Sequence, residues 1–412
     1  ADGNHLEESG GDGGMKWEKV KLGNVTDSCL GKMLDQNKNK GDYQPYLANV
    51  NVRWGEFDLE DLPLMKFEES EQERYELKYG DLVICEGGEP GRCAIWKEQI
   101  PNMKIQKALH RVRVHDCLDY RYLFYWFLLA GKTGELDQYF TGATIKHMPG
   151  QKLKEVVIDK PPLEIQHRIA DILSAYDDLI ENNQKQIKLL EEAAQRLYKE
   201  WFVDLRFPGH ENTKIVDGVP EGWNICPFSS KVDIMSGGTP KTSIPDYYNG
   251  KIPFYTPKDS DGAFFAHKTQ MNITEGGLKN CNSRLYPPKT VIITARGTVG
   301  KTTILAVPMA MNQSCYALKM KENDAPYYLF FALNNEIKAL QTMANGGVFN
   351  TIIGKTFDSI NIQIPKDPLI YGFEETVRPF MEQIKNKLQA NSKIVEARDR
   401  LLPKLMSGEV EV

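Results

Sequence analysis

The string that most resembles a catalytic motif is ARGTVGKT at residues 295–302, which follows a β-like run at residues 290–294. It is similar to the phosphate-binding loop of nucleoside triphosphatases. That loop needs a first glycine where the backbone turns around phosphate, and this position is Ala295. A related string at residues 88–93 shares the Gly-x-x-Gly spacing and lacks the Lys-Thr pair. The shared element is therefore a turn, and nucleotide binding is not predicted.

Other catalytic patterns are missing from the sequence or match only by chance. Residues 245–246 (PD) and 336–338 (EIK) fit a PD…ExK nuclease pattern loosely, with the second part in a helix-like stretch. The Pro-Pro pairs at residues 161–162 and 287–288 lack the neighbouring residues of an amino-methyltransferase motif. The seven cysteines and seven histidines are scattered, so no metal site is predicted. The residues predict a binding and scaffolding protein rather than an enzyme.

A long helix is predicted across residues 161–205, because apolar residues recur at alternating spacings of four and three, as in the seam of a coiled coil. The seam consists of Ile169, Leu173, Tyr176, Ile180, Asn183, Ile187, Leu190, Ala194, Leu197 and Trp201. Asn183 is its one polar member, and we interpret it as a residue that fixes the register of the seam. Pro161-Pro162 can start the helix, because proline at the first helical position forfeits only a donor that has no partner.

The chain repeats its own plan after this helix. Trp17 corresponds to Trp223 at an offset of 206, and the two Gly-x-x-Gly turns correspond at an offset of 209. The helix recurs at an offset of 204, where the seam residues are Val377, Phe380, Ile384, Ile394, Leu401 and Leu405. Polar residues interrupt the middle of this second seam, and Pro403 is predicted to bend or end its last turn. A period this long indicates duplication of a domain together with its helix.

The predicted fold class is α+β, with two duplicated, β-rich domains of mixed α/β structure separated by two long helices. The simplest way to bury two apolar stripes of matching length is helix against helix. An antiparallel intramolecular coiled coil is favoured, because it relates the halves by a pseudo-twofold, whereas parallel pairing needs a long return connection. Two domains held at a fixed separation suit a ligand that is itself twofold-like, and duplex DNA is the obvious candidate.

Composition is that of an ordinary globular protein, with a formal net charge of −5. Four acidic residues lie among the first fourteen, and without them the charge is −1. We interpret residues 1–14, which are Gly-rich and aperiodic, as a tag or a disordered leader. No long apolar window or signal-peptide pattern is present, so a cytoplasmic location is expected.

At this point the chain resembles the specificity (S) subunit of Type I restriction-modification systems. The strings that carry the resemblance are VPEGW at 219–223, SGGTP at 236–240, GTVGK at 297–301, PPLEIQ at 161–166 and RLLPKLMSGE at 400–409. Each string alone is weak evidence for this family. Their order, which is repeated over almost the whole chain, is specific to it. The second helix departs from the pattern, because it begins PKDPL at residues 365–369 where the first has PPLEIQ.

The resemblance implies a non-catalytic subunit that reads a bipartite, asymmetric DNA site. The implied domains are target recognition domain 1 at residues 15–160, spacer helix 1 at 161–206, target recognition domain 2 at 207–366 and spacer helix 2 at 367–412. Methyltransferase (M) subunits that bind S-adenosylmethionine, and restriction (R) subunits that use ATP and Mg²⁺, would join the complex. This chain itself would bind no cofactor and no metal.

Recognition domains need Lys or Arg for phosphates, and Arg, Lys, Asn or Gln for base edges. The candidates that lie in or beside predicted turns are Arg92, Lys107, Lys146, Lys241, Tyr255, Lys258, Arg296, Lys301, Asn350 and Lys355. Two other classes of function stay open at this level. One is a self-sufficient DNA methyltransferase or nuclease with unrecognised motifs, and the other is a protein-only scaffold.

Overall fold

The structure is a computed structural model that describes residues 17–35, 39–343 and 351–412. It forms two compact units. The first unit contains the chain up to Leu179 together with Ile394–Val412, and the second unit contains Ile180–Lys393. Within the described ranges, no helix is both long enough and apolar enough to span a membrane.

The first unit is built on two small sheets. Its strands are β1 (Glu18–Lys21), β2 (Thr26–Leu30), β3 (Asp42–Leu47), β4 (Leu64–Phe67), β5 (Leu82–Cys85), β6 (Cys93–Ile95), β7 (Lys104–Ile105), β8 (Leu109–Val114) and β9 (Val157–Lys160). One sheet has the order β2-β8-β5-β6 and the other β4-β3-β7, while β1 pairs with β9. Its helices are α1 (Leu22–Val25), α2 (Gln72–Tyr75), α3 (Tyr120–Thr133) and α4 (Gly150–Glu155).

Helix α3, which is rich in aromatic residues, forms the centre of the first unit's core. The carboxylate of Asp119 caps the helix by accepting hydrogen bonds from the backbone N–H groups of Arg121 and Tyr122. The helix ends at Gly134, whose φ of 76° is left-handed. Eight of its residues are buried, so it packs as a core helix rather than a surface one.

After β9 the chain enters α5 (Leu163–Tyr198) and then the second unit. The strands there are β10 (Ile215–Val216), β11 (Val219–Pro220), β12 (Asn224–Pro227), β13 (Val232–Ser236), β14 (Tyr248–Tyr255), β15 (Phe265–Ala266), β16 (Asn272–Ile273), β17 (Val291–Thr294), β18 (Thr302–Leu305), β19 (Ala310–Met311), β20 (Cys315–Met320) and β21 (Asn361–Ile364). The helices are α6 (Phe228–Lys231), α7 (Glu275–Lys279), α8 (Pro326–Met343), α9 (Gly354–Ser359) and α10 (Asp367–Met406).

The second unit repeats the topology of the first, which confirms the predicted duplication. Its main sheet has the order β13-β20-β17-β18-β15, which matches β2-β8-β5-β6 with one added strand. Its second sheet, β16-β14-β19, matches β4-β3-β7, and in both sheets the last pair is parallel. The pair of β12 with β21 matches that of β1 with β9. The added β10–β11 hairpin has no counterpart among the described strands of the first unit.

Helices α5 and α10 pair antiparallel within each unit. In the second unit, Trp201 follows α5 and its ring lies 5.9 Å from that of Phe373, near the start of α10. Further along the same unit, Asn183 of α5 meets Asn391 of α10. In the first unit, Ile169 of α5 shares a core with the last turn of α10. All the predicted seam residues on both helices are buried or half-buried.

The ends of the two helices differ from the sequence prediction. Helix α10 continues through Pro403 to Met406, so of the two predicted effects of Pro403, a bend or an end, the end does not occur. A proline this close to the carboxyl end removes a single backbone donor, and the buried side chains of Leu402 and Leu405 hold the turn in place. Helix α5 ends earlier than predicted, at Tyr198, and is followed by a π-helical turn over Lys199–Val203.

Candidate nucleic-acid interface

In the second unit a three-residue loop between β19 and β20 lies between the ends of two other strands. The loop is Asn312-Gln313-Ser314. The N–H of Asn312 donates to the carbonyl of Tyr255 at the end of β14, at 3.0 Å. The carbonyl of Ser314 accepts from the N–H of Ala295, directly after β17, at 2.7 Å. The backbone of the loop is therefore fixed by two strands from different sheets.

Two further segments join the same end of the unit. The N–H of Gly238 donates to the carbonyl of Met311 at 3.1 Å, and the N–H of Ile352 donates to the carbonyl of Ala295 at 2.9 Å. A Cβ added to Gly237 would lie 2.2 Å from the carbonyl oxygen of Asn312, so only glycine permits this approach. We call residues 237–241, 256–260, 295–301, 312–314 and 351–355 together the loop face of the second unit.

The string that resembled a phosphate-binding loop is a β-hairpin turn on this loop face. It joins the antiparallel strands β17 and β18, whereas a phosphate-binding loop leads from a strand into a helix. Gly297 and Gly300 have φ values of 81° and 83°, which explains the Gly-x-x-Gly spacing. The hydroxyl of Thr294 donates to the carbonyl of Thr298 and accepts from the N–H of Lys301. The turn is thus closed by its own hydrogen bonds.

Five predicted basic residues lie on this loop face with exposed side chains. They are Lys241, Lys258, Arg296, Lys301 and Lys355. None of the five forms an ion pair with another residue in the described ranges. The segments that carry Lys258 and Arg296 touch, because the hydroxyl of Thr298 donates to the carbonyl of Pro257 at 3.4 Å. These uncommitted cations suit a phosphate backbone.

Lys301 differs from the other four because it also lines a cleft of about 790 Å³ with residues of α5 and α8, including Arg196 and Asn335. The remaining candidates of the second unit are Tyr255 and Asn350. Tyr255 is 1% exposed, and its burial raises the pKa of its hydroxyl. Its ring packs in a core cluster with Ile292 and Leu305, so Tyr255 supports the loop face through its backbone. Asn350 lies outside the described residues.

The first unit has a loop face held by matching hydrogen bonds. The N–H of Gln106 donates to the carbonyl of Leu47 at 3.0 Å, and the N–H of Glu86 donates to the carbonyl of Ala108 at 2.8 Å. Two more bonds complete the match, from the N–H of Lys32 to the carbonyl of Ile105 at 3.0 Å and from the N–H of Met148 to the carbonyl of Glu86 at 2.7 Å. The loop Gln106-Lys107-Ala108 therefore occupies the place of Asn312-Gln313-Ser314.

Of the three candidates in the first unit, only Lys107 has an exposed side chain without an ion pair in the described ranges. The guanidinium of Arg92 donates to the carboxylate of Glu89 at 3.0 Å and to the carbonyl of Asn49 at 3.1 Å, so it ties the turn to its own domain. The ammonium of Lys146 lies 3.5 Å from the carboxylate of Asp137.

Sequence reasoning missed two polar residues of the second loop face, Thr239 and Gln313. The hydroxyl of Thr239 donates to the side-chain oxygen of Gln313, and both residues are exposed. The repeat contained the signal that would have identified Gln313, because it lies at an offset of 206 from Lys107.

The thiols beneath the loop faces are structural. Burial raises the pKa of Cys85 to about 11 and that of Cys315 to about 12, so both stay protonated and unreactive at neutral pH. Among the described side chains, no group of three His, Cys, Asp or Glu residues could hold a metal ion.

Comparison with known proteins agrees with this geometry. A family model described as "Type I restriction modification DNA specificity domain" matches residues 15–192 and 220–390. The chain is 29% identical over 341 residues to the Type I restriction enzyme MjaIX specificity subunit of Methanocaldococcus jannaschii, which covers 81% of this chain and 78% of that one. It is 23% identical over 469 residues to the HindI specificity subunit of Haemophilus influenzae, covering 96% and 99% of the two chains. The crystal structure of a Type I restriction-modification S subunit from M. genitalium has the same fold, with a TM-score of 0.58 at 17% identity. The match covers 97% of this chain and 98% of that chain.

Proposed function

Because the chain belongs to the Type I restriction modification DNA specificity family, we propose that it reads a bipartite, asymmetric DNA site, with one half-site for each loop face. The family consists of DNA recognition subunits rather than enzymes. In this proposal the recognition domains are residues 15–160 and 207–366, and the spacer helices are residues 161–206 and 367–412.

The observation that supports the proposal is that one loop scaffold is built twice in a single chain from different sequences. The four backbone hydrogen bonds that fix the scaffold are the same in both units. The side chains that the two scaffolds present differ, with Lys107 on one and Gln313 on the other. A conserved frame with different surface residues is what a reader of two unlike half-sites needs.

The partners follow from the same proposal. Methyltransferase (M) subunits would dock on this chain and supply S-adenosylmethionine and the methyl transfer, and restriction (R) subunits would supply ATP hydrolysis with Mg²⁺. The curated relatives are named as subunits of restriction enzymes, which supports a scaffolding role. The paired helices α5 and α10 would then act as a spacer between the two reading domains.

Methylation mapping tests the proposed function. The full chain is expressed with its cognate modification subunit, and methylated adenines are mapped across the host genome. We expect one motif with two defined parts separated by a fixed gap of unspecified bases. Methylation without any such motif would contradict the proposal. The purified chain alone is the control, and transfer of labelled methyl groups by it would identify a self-sufficient methyltransferase instead.

A further inference from the structure

The middle residues of two equivalent loops, Lys107 and Gln313, stand apart from the other polar residues of the loop faces. Each is the second residue of a three-residue connection into an inner strand of its sheet, β8 or β20. In each loop the residue before it donates a backbone hydrogen bond to the end of a neighbouring strand, and the residue after it accepts one from the residue that follows another strand. The middle side chain is exposed in both units and does not support the fold.

We infer that Lys107 and Gln313 are the base-reading residues of the two half-sites, with Lys107 selecting guanine and Gln313 selecting adenine. The inference rests on the proposed function and deepens it. A lysine ammonium has only donors, which match the O6 and N7 acceptors of guanine in the major groove. A glutamine amide has a donor and an acceptor side by side, which match N7 and the N6 amino group of adenine.

The surroundings of Gln313 favour a base contact over a phosphate contact. Its loop lies between the segment of Lys258 and the segment of Arg296, whose exposed cations would take the phosphates on either side. The hydroxyl of Thr239 donates to its side-chain oxygen, which fixes the plane of the amide and leaves its amino group and a second lone pair available. An oriented amide discriminates between bases, whereas a phosphate needs only positive charge.

The equivalent position of the first unit carries no orienting hydroxyl, in keeping with the chemistry of lysine. The position that corresponds to Thr239 is Met33, which is 49% exposed and has no hydroxyl to donate. The ammonium of Lys107 is a point charge with three donors and needs no fixed plane. Lys32, the residue before Met33, turns inward, and its ammonium lies 2.5 Å from the carboxylate of Glu71. The exposed cation of the loop Gln106-Lys107-Ala108 is therefore Lys107.

Exchange of the two residues tests the inference. The variants Gln313→Lys and Lys107→Gln are each assembled with the modification subunit, and their methylation motifs are compared with that of the unaltered chain. We expect Gln313→Lys to replace adenine by guanine at one position of one half-site, and Lys107→Gln to make the reverse change in the other half-site. Preference for the original base should fall roughly 5- to 150-fold, the discrimination that one good side-chain to base pair provides.

Thr239→Val tests whether the orientation of the Gln313 amide matters, because it removes the hydroxyl that orients this amide and keeps the shape of the Thr239 side chain. It should relax the preference at the Gln313 position without changing which base is preferred. The inference would be overturned if the variants methylated the original motif with unchanged base preference. It would also be overturned if their methylation fell equally at all sites without a change in base preference. An unaltered chain that gives no bipartite motif would instead overturn the proposed function. Unfolding temperature and co-purification with the modification subunit verify that each variant is folded.

Discussion

The side-chain amide of Asn183 on α5 donates a 2.8 Å hydrogen bond to the side-chain oxygen of Asn391 on α10. The ammonium of Lys387 adds a second bond, to the side-chain oxygen of Asn183, at 3.4 Å. Asn183 is 8% exposed, so this is a polar layer inside an apolar helix interface. A shift in register would bury these groups without partners, and the layer therefore selects one register.

Substitution of Asn183 by Leu should lower the free energy of unfolding by roughly 1–3 kcal/mol, the cost of leaving a buried polar group unpaired. From the sequence alone this variant is expected to stay stable and lose register, because the partner residues are not visible there. The structure shows that Asn391 and Lys387 would lose their partner. Urea denaturation followed by circular dichroism measures the change. The double variant Asn183→Leu with Asn391→Leu should recover most of the loss, and a single variant as stable as the unaltered chain would count against the polar layer.

In the first unit, Arg398 of α10 should contribute more to stability than Arg400, two residues away. The guanidinium of Arg398 is 14% exposed and pairs with Asp177 of α5, which also accepts a 2.6 Å hydrogen bond from the hydroxyl of Tyr125. Arg398→Met leaves that carboxylate without its cation, and we expect a loss of roughly 1–3 kcal/mol, below the roughly 3–5 kcal/mol of fully buried pairs because Asp177 is partly solvated. The guanidinium of Arg400 is 79% exposed, so Arg400→Met should cost less than about 0.5 kcal/mol. Equal effects in urea denaturation would refute the assignment.

Glu374 should make the second unit less stable as pH rises. Burial raises the pKa of its carboxyl to about 7, although the carboxylate accepts a 2.7 Å hydrogen bond from the N–H of Tyr328 at the start of α8. The folded pKa lies above the unfolded value near 4.5, so the folded protein binds the proton more tightly. Its contribution is full below about pH 4.5 and is lost as pH rises to about 7.

The variant Glu374→Gln isolates this effect, because it keeps the acceptor oxygen and removes the titration. The unaltered chain should lose stability relative to the variant between pH 5 and 7, by at most roughly 3 kcal/mol. Denaturation of both proteins at several pH values measures the difference. A difference that stays constant across this window would show that Glu374 has an ordinary pKa.

The paired helices and the duplication could be predicted from the sequence because their signals are periodic. The spacing of Ile169, Leu173 and Tyr176 reports a helix face directly, and the fixed offset reports the repeat. The fate of Pro403 could not be predicted, because it depends on the packing of its neighbours Leu402 and Leu405.

The loop faces were only partly predictable, because they form from segments that are distant in sequence. Lys258 and Arg296 were found as cations in turns, and their adjacency depends on a contact between Thr298 and Pro257. Tyr255 was chosen as an aromatic residue beside a turn, and only the packing of the folded unit shows that its ring is buried. Gln313 carries no charge and forms no motif, so its offset of 206 from Lys107 is the signal that the sequence holds, and the fold is needed to show that it is exposed on the loop face.

The double variant Lys258→Gln with Arg296→Gln should weaken DNA binding by the assembled complex and make it less dependent on salt. Each phosphate contact contributes about 0.9 to the slope of log affinity against log salt, so loss of both should reduce the slope by roughly 1.8. The matched control is Lys319→Gln. Lys319 is an exposed lysine near the far end of β20, six residues from Gln313 and therefore roughly 20 Å away along the strand. Fluorescence anisotropy with duplex DNA at several salt concentrations measures both quantities. An unchanged slope in the double variant, or an equal change in the control, would contradict the assignment of phosphate contacts to Lys258 and Arg296.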